Sequence, residues 1–309
     1  MDEKISDEKD VESPSPDKIK HIVLSGGGIV GLAQYGALRE SHQKGLWNMN
    51  NIESIYGTSV GALISVIISL KFDWEVLDDF IIKRPWNQII KLDMFSVIQS
   101  FETRGLMNTK IIEDVFAPLF GAKNIELDVT MKEFYEITKI DLHLFVTELN
   151  TFELVDICRE NYPDWKVIDA VYASCCIPIL FSPLLKDDKC YIDGGFRIHY
   201  PLANCTERVE NTNEILGICQ NMKNNLSFEP VRSNSTLFEF VLTTFYKIIE
   251  NMFSHQPDVR IKHEIVLGFK QLLIYEMFDV AASRDRRIAL IEKGAYDYYS
   301  AYHNICEDS

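Results

Sequence analysis

The sequence predicts an α/β fold: a mostly parallel central sheet with helices on both faces. Two strand–turn–helix units follow one another near the start, "HIVLSGGG" into "LAQYGALRESHQKG" and "NIESIYGTS" into "VGALISVIIS". Successive units of this kind build parallel sheets whose ligand sites lie at the carboxyl ends of the strands. The 309 residues are 47% hydrophobic and 25% charged, enough apolar material for one large core.

Taken in order, residues 1–19 are acidic and rich in Ser and Pro, with no apolar stretch that would mark a signal peptide, so they read as a disordered tail. Residues 20–309 read as one domain. The first strand begins near Lys20 and ends in three glycines. The helix after it keeps its apolar rhythm through Leu32, Tyr35 and Leu38 and stops at Gly45. A second strand leads to Gly57-Thr58-Ser59-Val60-Gly61 and a buried helix.

Residues Trp74 to Phe120 read as mainly helical. Within them, 86–101 carries Ile89, Ile90, Met94, Phe95, Val97, Ile98 and Phe101, which fits a core helix or an apolar lid touching membranes. "DLHLFVTELN" and "FELVDIC" read as strands about a turn at Asn150-Thr151, and "KCYIDGG" and "EILGICQ" as two more. From Ser227 onward the expectation is helix.

A net charge of −15 and a pI near 4.9 exclude a general nucleic-acid binder, and they oppose long-range attraction to strongly anionic membranes. The seven cysteines have no zinc-type spacing, and the adjacent Cys175-Cys176 reads as core. The expectation is free thiols in an intracellular, cytoplasmic protein, peripheral at membranes. The longest apolar run, Ala62–Leu70, is too short to span a bilayer.

Ser59 lies between Gly57 and Gly61 at a strand-to-helix corner, where a serine held in a tight turn presents its hydroxyl outward. A serine attacking an acyl carbonyl creates an oxyanion that needs preorganised donors. The loop Gly26-Gly27-Gly28-Ile29-Val30-Gly31 can bring backbone N–H groups close. For a base, none of the seven histidines has a catalytic context. Asp193, ending a strand before Gly194 and Gly195, could take the serine proton if burial raised its pKa. Other readings are a phosphate or dinucleotide loop, an α/β-hydrolase triad using His199, and headgroup binding by Arg284, Arg286, Arg287 and Lys293. The first lacks the Gly-Lys-Ser/Thr ending and a well-placed acidic residue.

Glycine loop, "GTSVG" and "DGG", in that order and joined by "ASCCIPILFSPL" and "HYPL", resemble the patatin-like phospholipases over roughly Lys20 to Gln220. The resemblance implies a Ser–Asp dyad that hydrolyses fatty acyl esters of lipids without metal, cofactor or histidine. Ser59 would be the nucleophile, Asp193 its base, and Gly26, Gly27 and Gly28 the oxyanion hole. It departs from the family at Val30, where Arg or Lys is usual, and at His199-Tyr200, where asparagines are more common. The function expected is a calcium-independent phospholipid acyl hydrolase acting at membrane or micelle surfaces. A catalytically inactive lipid-binding or interaction protein is the alternative.

Overall fold

A computed structural model describes residues 18–90, 94–220, 231–237, 259–268 and 274–303, with a few positions between 239 and 247. The tail expected over 1–19 lies almost wholly outside the described residues, as do parts of the expected C-terminal helices.

The strands are β1 (His21–Leu24), β2 (Ser54–Thr58), β3 (Gly105–Met107), β4 (Asp141–Glu148), β5 (Glu153–Ile157), β6 (Ile179–Phe181), β7 (Leu184–Lys186), β8 (Lys189–Asp193), β9 (Ile215–Gln220) and β10 (His263–Leu267). The main sheet runs β10-β9-β1-β2-β4-β8-β7, with β5 also on β4, while β3 and β6 form a separate parallel pair. Strands β10 to β4 are mutually parallel; β5 and β8 run antiparallel to β4. The expected hairpin about Asn150-Thr151 is the β4–β5 pair.

The central strands are buried on both faces, and their side chains alternate between two cores with the period of two that a sheet imposes. Ile22, Leu24, Ile55, Leu144 and Ile218 join the larger core, and Val23, Tyr56, Phe145 and Ile215 join a smaller one on the other face. The larger core receives α1 (Gly31–Gln43), α2 (Val60–Ser69), α3 (Trp74–Lys83) and α7 (Val167–Cys175), and the smaller one α8 (Leu202–Thr206). Between them in sequence come α4 (Met94–Thr103), α5 (Lys110–Ala122) and α6 (Met131–Thr138).

The end of the chain departs from the helical expectation. β10 extends the sheet beside β9, and is followed by α9 (Ile274–Ala282) and α10 (Arg284–His303). α10 docks on α1 at backbone contact. A Cβ on Gly36 would lie 2.0 Å from the Ile291 carbonyl oxygen, and one on Gly294 would lie 1.9 Å from that of Ala33. Glycine on both sides lets the two helices meet, so the C-terminal helix completes the core.

Arg287 is not on a solvated face. It is buried, and its guanidinium donates to the carbonyls of Ile82, Val280 and Ala281, tying the ends of α3 and α9 together. Six cysteines are free thiols among the described residues. Burial raises the Cys175 and Cys176 thiols well above their usual range, which makes them poor nucleophiles.

Candidate active site

β4 sets the geometry of the site. Its residues Val146–Glu148 pair with both β5 and β8, so those two strands lie on opposite edges. Leu144 and Phe145 pair with both β2 and β5, which places β2 and β8 on the same edge of β4. β2 ends at Thr58 opposite Phe145, and β8 ends at Asp193 opposite Val146. The two strands therefore approach head-on, and their last residues meet one register step apart. Ser59 follows Thr58 directly, so residues 134 apart in sequence become neighbours at this seam.

At the seam the Ser59 Oγ donates to Asp193 Oδ2 at 2.6 Å, with both residues buried. Ser59 has φ 56° and ψ −125°, a backbone conformation costly for a residue with a Cβ. The close packing around it needs the flanking glycines. A Cβ on Gly57 would lie 2.6 Å from the Gly61 backbone, and one on Gly61 would lie 2.6 Å from the Leu24 carbonyl oxygen. The Ser59 N–H donates to Ser174 Oγ at 2.9 Å, and Ser174 Oγ donates to the Phe145 carbonyl at 2.6 Å. Ser59 also opens α2, whose positive end favours negative charge on Oγ.

The other Asp193 oxygen, Oδ1, accepts the Gly195 N–H at 2.7 Å, and Thr147 Oγ1 donates to the Asp193 carbonyl. Gly194 has to lack a side chain, because a Cβ there would lie 2.2 Å from the Phe145 carbonyl oxygen. Burial raises the Asp193 carboxyl to about 6, while the hydrogen bonds from Ser59 and Gly195 oppose the rise. The group is thus mostly ionised at neutral pH, yet a far better proton acceptor than an exposed aspartate.

The glycine loop lies against the same cavity. The Gly26 N–H donates to the His199 carbonyl at 2.8 Å, so this glycine shapes the loop without offering a free donor. Gly27 (φ 143°) and Gly28 (φ 57°) adopt conformations that L side chains avoid, and a Cβ on Gly28 would point into open space. Among the described residues no hydrogen bond occupies either amide, so both can donate toward the cavity. Val30 is fully buried and its N–H closes a tight turn onto the Gly27 carbonyl. Apolar packing therefore holds the loop at this position. A Cβ on Gly31 would lie 2.2 Å from Val60.

A cavity of about 320 Å³ opens from these groups. Its walls are mostly apolar and include Leu63, Ile67, Trp86, Val115, Phe181 and Val280. His199 also lines it, and burial lowers its ring to about 4, so it is neutral at physiological pH. The Ser59 hydroxyl donates to the carboxylate, which sets this site apart from a Ser–His–Asp triad. Tyr200 donates to Glu264 of β10, joining the "HYP" segment to the sheet edge. Nothing in "ASCC" marks Ser174 as part of the site; only the fold brings its hydroxyl to the nucleophile's amide, 115 residues away in sequence.

Among the described residues, one group could share an ion: His143, Asp156 and Cys158, with ligand atoms within 4.8 Å of one another. His143 stacks on Tyr56 and bonds Asp156 at 2.8 Å. One imidazole, one thiol and one carboxylate do not suit calcium, which takes six to eight oxygens. Among the described residues no helix is long and apolar enough to cross a membrane.

The patatin-like phospholipase family model matches residues 22–205, more than half of the chain. This chain belongs to that family. A probable lipid hydrolase of Invertebrate iridescent virus 6 is 27% identical over 62% of this chain and 64% of its own length. Triacylglycerol lipase ptl3 of Schizosaccharomyces pombe is 27% identical over 60% of this chain and 42% of its own. The chain thus spans less than two thirds of these relatives. Among solved structures, VipD from Legionella pneumophila is similar at 14% identity and a TM-score of 0.47, covering 90% of this chain and 67% of that one.

Proposed function

We propose that this patatin-like chain is a lipid acyl hydrolase, acting on fatty acyl esters of phospholipids through a Ser59–Asp193 dyad. The observation that carries the reading is the 2.6 Å Oγ–Oδ2 hydrogen bond at the edge of an apolar cavity. In the first half-reaction Asp193 accepts the Ser59 proton as Oγ attacks the ester carbonyl. The Gly27 and Gly28 amides and the N-terminus of α2 receive the oxyanion, and the proton leaves with the lysolipid alcohol. In the second, Asp193 takes a proton from water, the hydroxide attacks the acyl-serine carbonyl, and the fatty acid departs as the proton returns to Ser59 Oγ. His199, neutral and in the cavity wall, takes no part in proton transfer.

The acyl chain would occupy the cavity, where burying each methylene contributes about 0.8 kcal/mol. α4 supports contact with a lipid surface: Ile98 and Phe101 are 68% and 88% exposed and lie one turn apart. The helix leads into β3, which pairs with β6, and Phe181 of β6 lines the cavity. The acidic net charge favours zwitterionic or neutral lipids.

Labelling with a fluorophosphonate tests the reading. Wild type should take up one equivalent on Ser59, and Ser59→Ala none. A wild type that binds lipid yet refuses the label would instead be a lipid-binding protein.

A further inference from the structure

β2 and β8 lead to the two halves of the dyad but share no ladder with each other; β4 is the one strand both are registered on. Something must hold Ser59 in its strained conformation across that seam, and one fully buried hydroxyl is placed to do so. Ser174, the penultimate residue of α7, accepts the Ser59 N–H at 2.9 Å and donates to the Phe145 carbonyl at 2.6 Å. That same carbonyl is the one against which Gly194 packs, directly after the base. A single side chain therefore links the nucleophile's amide to the surface that seats the base's turn.

We propose that Ser174 is the positioning residue of the dyad, rigidly holding the Ser59 amide so that Oγ rests at hydrogen-bond distance from Asp193. It touches no substrate and acts through Ser59. The inference rests on the proposed dyad, and it has a consequence separate from catalysis. An alanine at 174 leaves a buried N–H and a buried carbonyl without this partner, and frees φ of Ser59 to relax. Displacements of about 1 Å at a reacting atom can lower rates on the order of a hundredfold.

The test uses the full chain as wild type, Ser174→Ala, Ser174→Thr and Thr138→Ala. The last removes a buried hydroxyl bonded to Phe134 on α6, outside the site, and controls for stability loss. Three readouts are taken: kcat and KM on a soluble short-chain ester, fluorophosphonate labelling rate, and hydrogen exchange at the Ser59 amide by NMR. Ser174→Ala should lower kcat and labelling at least tenfold with KM within twofold, and should speed Ser59 exchange. Ser174→Thr should recover most of each, and Thr138→Ala should lower Tm without moving them.

Unchanged kcat and exchange in folded Ser174→Ala would overturn the proposal, as would a threonine variant no better than alanine. If Ser174→Ala does not fold, Ser174→Cys carries the same readouts with similar volume and weaker hydrogen bonds. A wild type that neither labels nor turns over would end the hydrolase reading, and the exchange rate alone would then decide the role of Ser174.

Discussion

Replacing Asp193 by asparagine should abolish turnover and make the protein more stable at pH 7. Burial holds the native carboxyl at about 6 against an ordinary value of 3.8. Keeping it ionised in the folded state therefore costs about 3 kcal/mol at neutral pH. Because the native pKa lies above the unfolded one, the penalty is absent below about pH 4 and grows as pH rises through about 6. Asparagine has no charge to desolvate. Its carbonyl can keep the Gly195 N–H and its amide can donate to Ser59 Oγ, so neither partner is stranded. With some loss of hydrogen-bond strength, the net gain is about 1–3 kcal/mol. Urea unfolding of both proteins at pH 7 and pH 4 checks this. The variant should be more stable at pH 7, and the gap should close at pH 4. A variant of equal or lower stability at pH 7 would refute the claim that Asp193 is a strained buried base.

Three further outcomes are expected. The acid limb of kcat/KM should follow Asp193, so activity on a soluble ester falls about tenfold between pH 7 and pH 5; a flat profile over that range would exclude an acceptor titrating near 6. Gly61→Ala would push a methyl to 2.6 Å from the Leu24 carbonyl oxygen, and should cost about 1–3 kcal/mol and displace the glycine loop, read as a fall in both Tm and turnover. The double variant Ile98→Ser, Phe101→Ser should weaken flotation with phosphatidylcholine vesicles and slow their hydrolysis, while leaving cleavage of the soluble ester intact; equal flotation would remove α4 from the lipid-binding surface.

Several parts of this design were legible in the residues because local chemistry dictates them. Gly57-Thr58-Ser59-Val60-Gly61 announces a corner, since glycines are needed wherever strand and helix backbones nearly touch. The β4–β5 hairpin follows from two apolar runs about Asn150-Thr151. The structure also places Ser59 beside Asp193, an expectation that came from motif order and chemistry. β10 was not legible: "HEIVL" is five residues with charge at its start, and it becomes a strand only because β9 offers an unpaired edge. β3, β6 and β7, at three residues each, carry too short a pattern to read. Arg287 shares a basic-looking helix with Arg284 and Arg286, and only the packing of α3 and α9 around it distinguishes a buried clamp from a solvated cation. The partition of the glycine loop, with Gly26 tied to His199 and Gly27 and Gly28 left open, likewise depends on a contact across 173 residues of chain.

Fatty-acid release from mixed phosphatidylcholine micelles in EDTA, for wild type, Ser59→Ala and Asp193→Asn side by side, tests the dyad most directly. Turnover by wild type with both variants at background is the expected result. Turnover that survives in either variant would contradict the Ser59–Asp193 assignment.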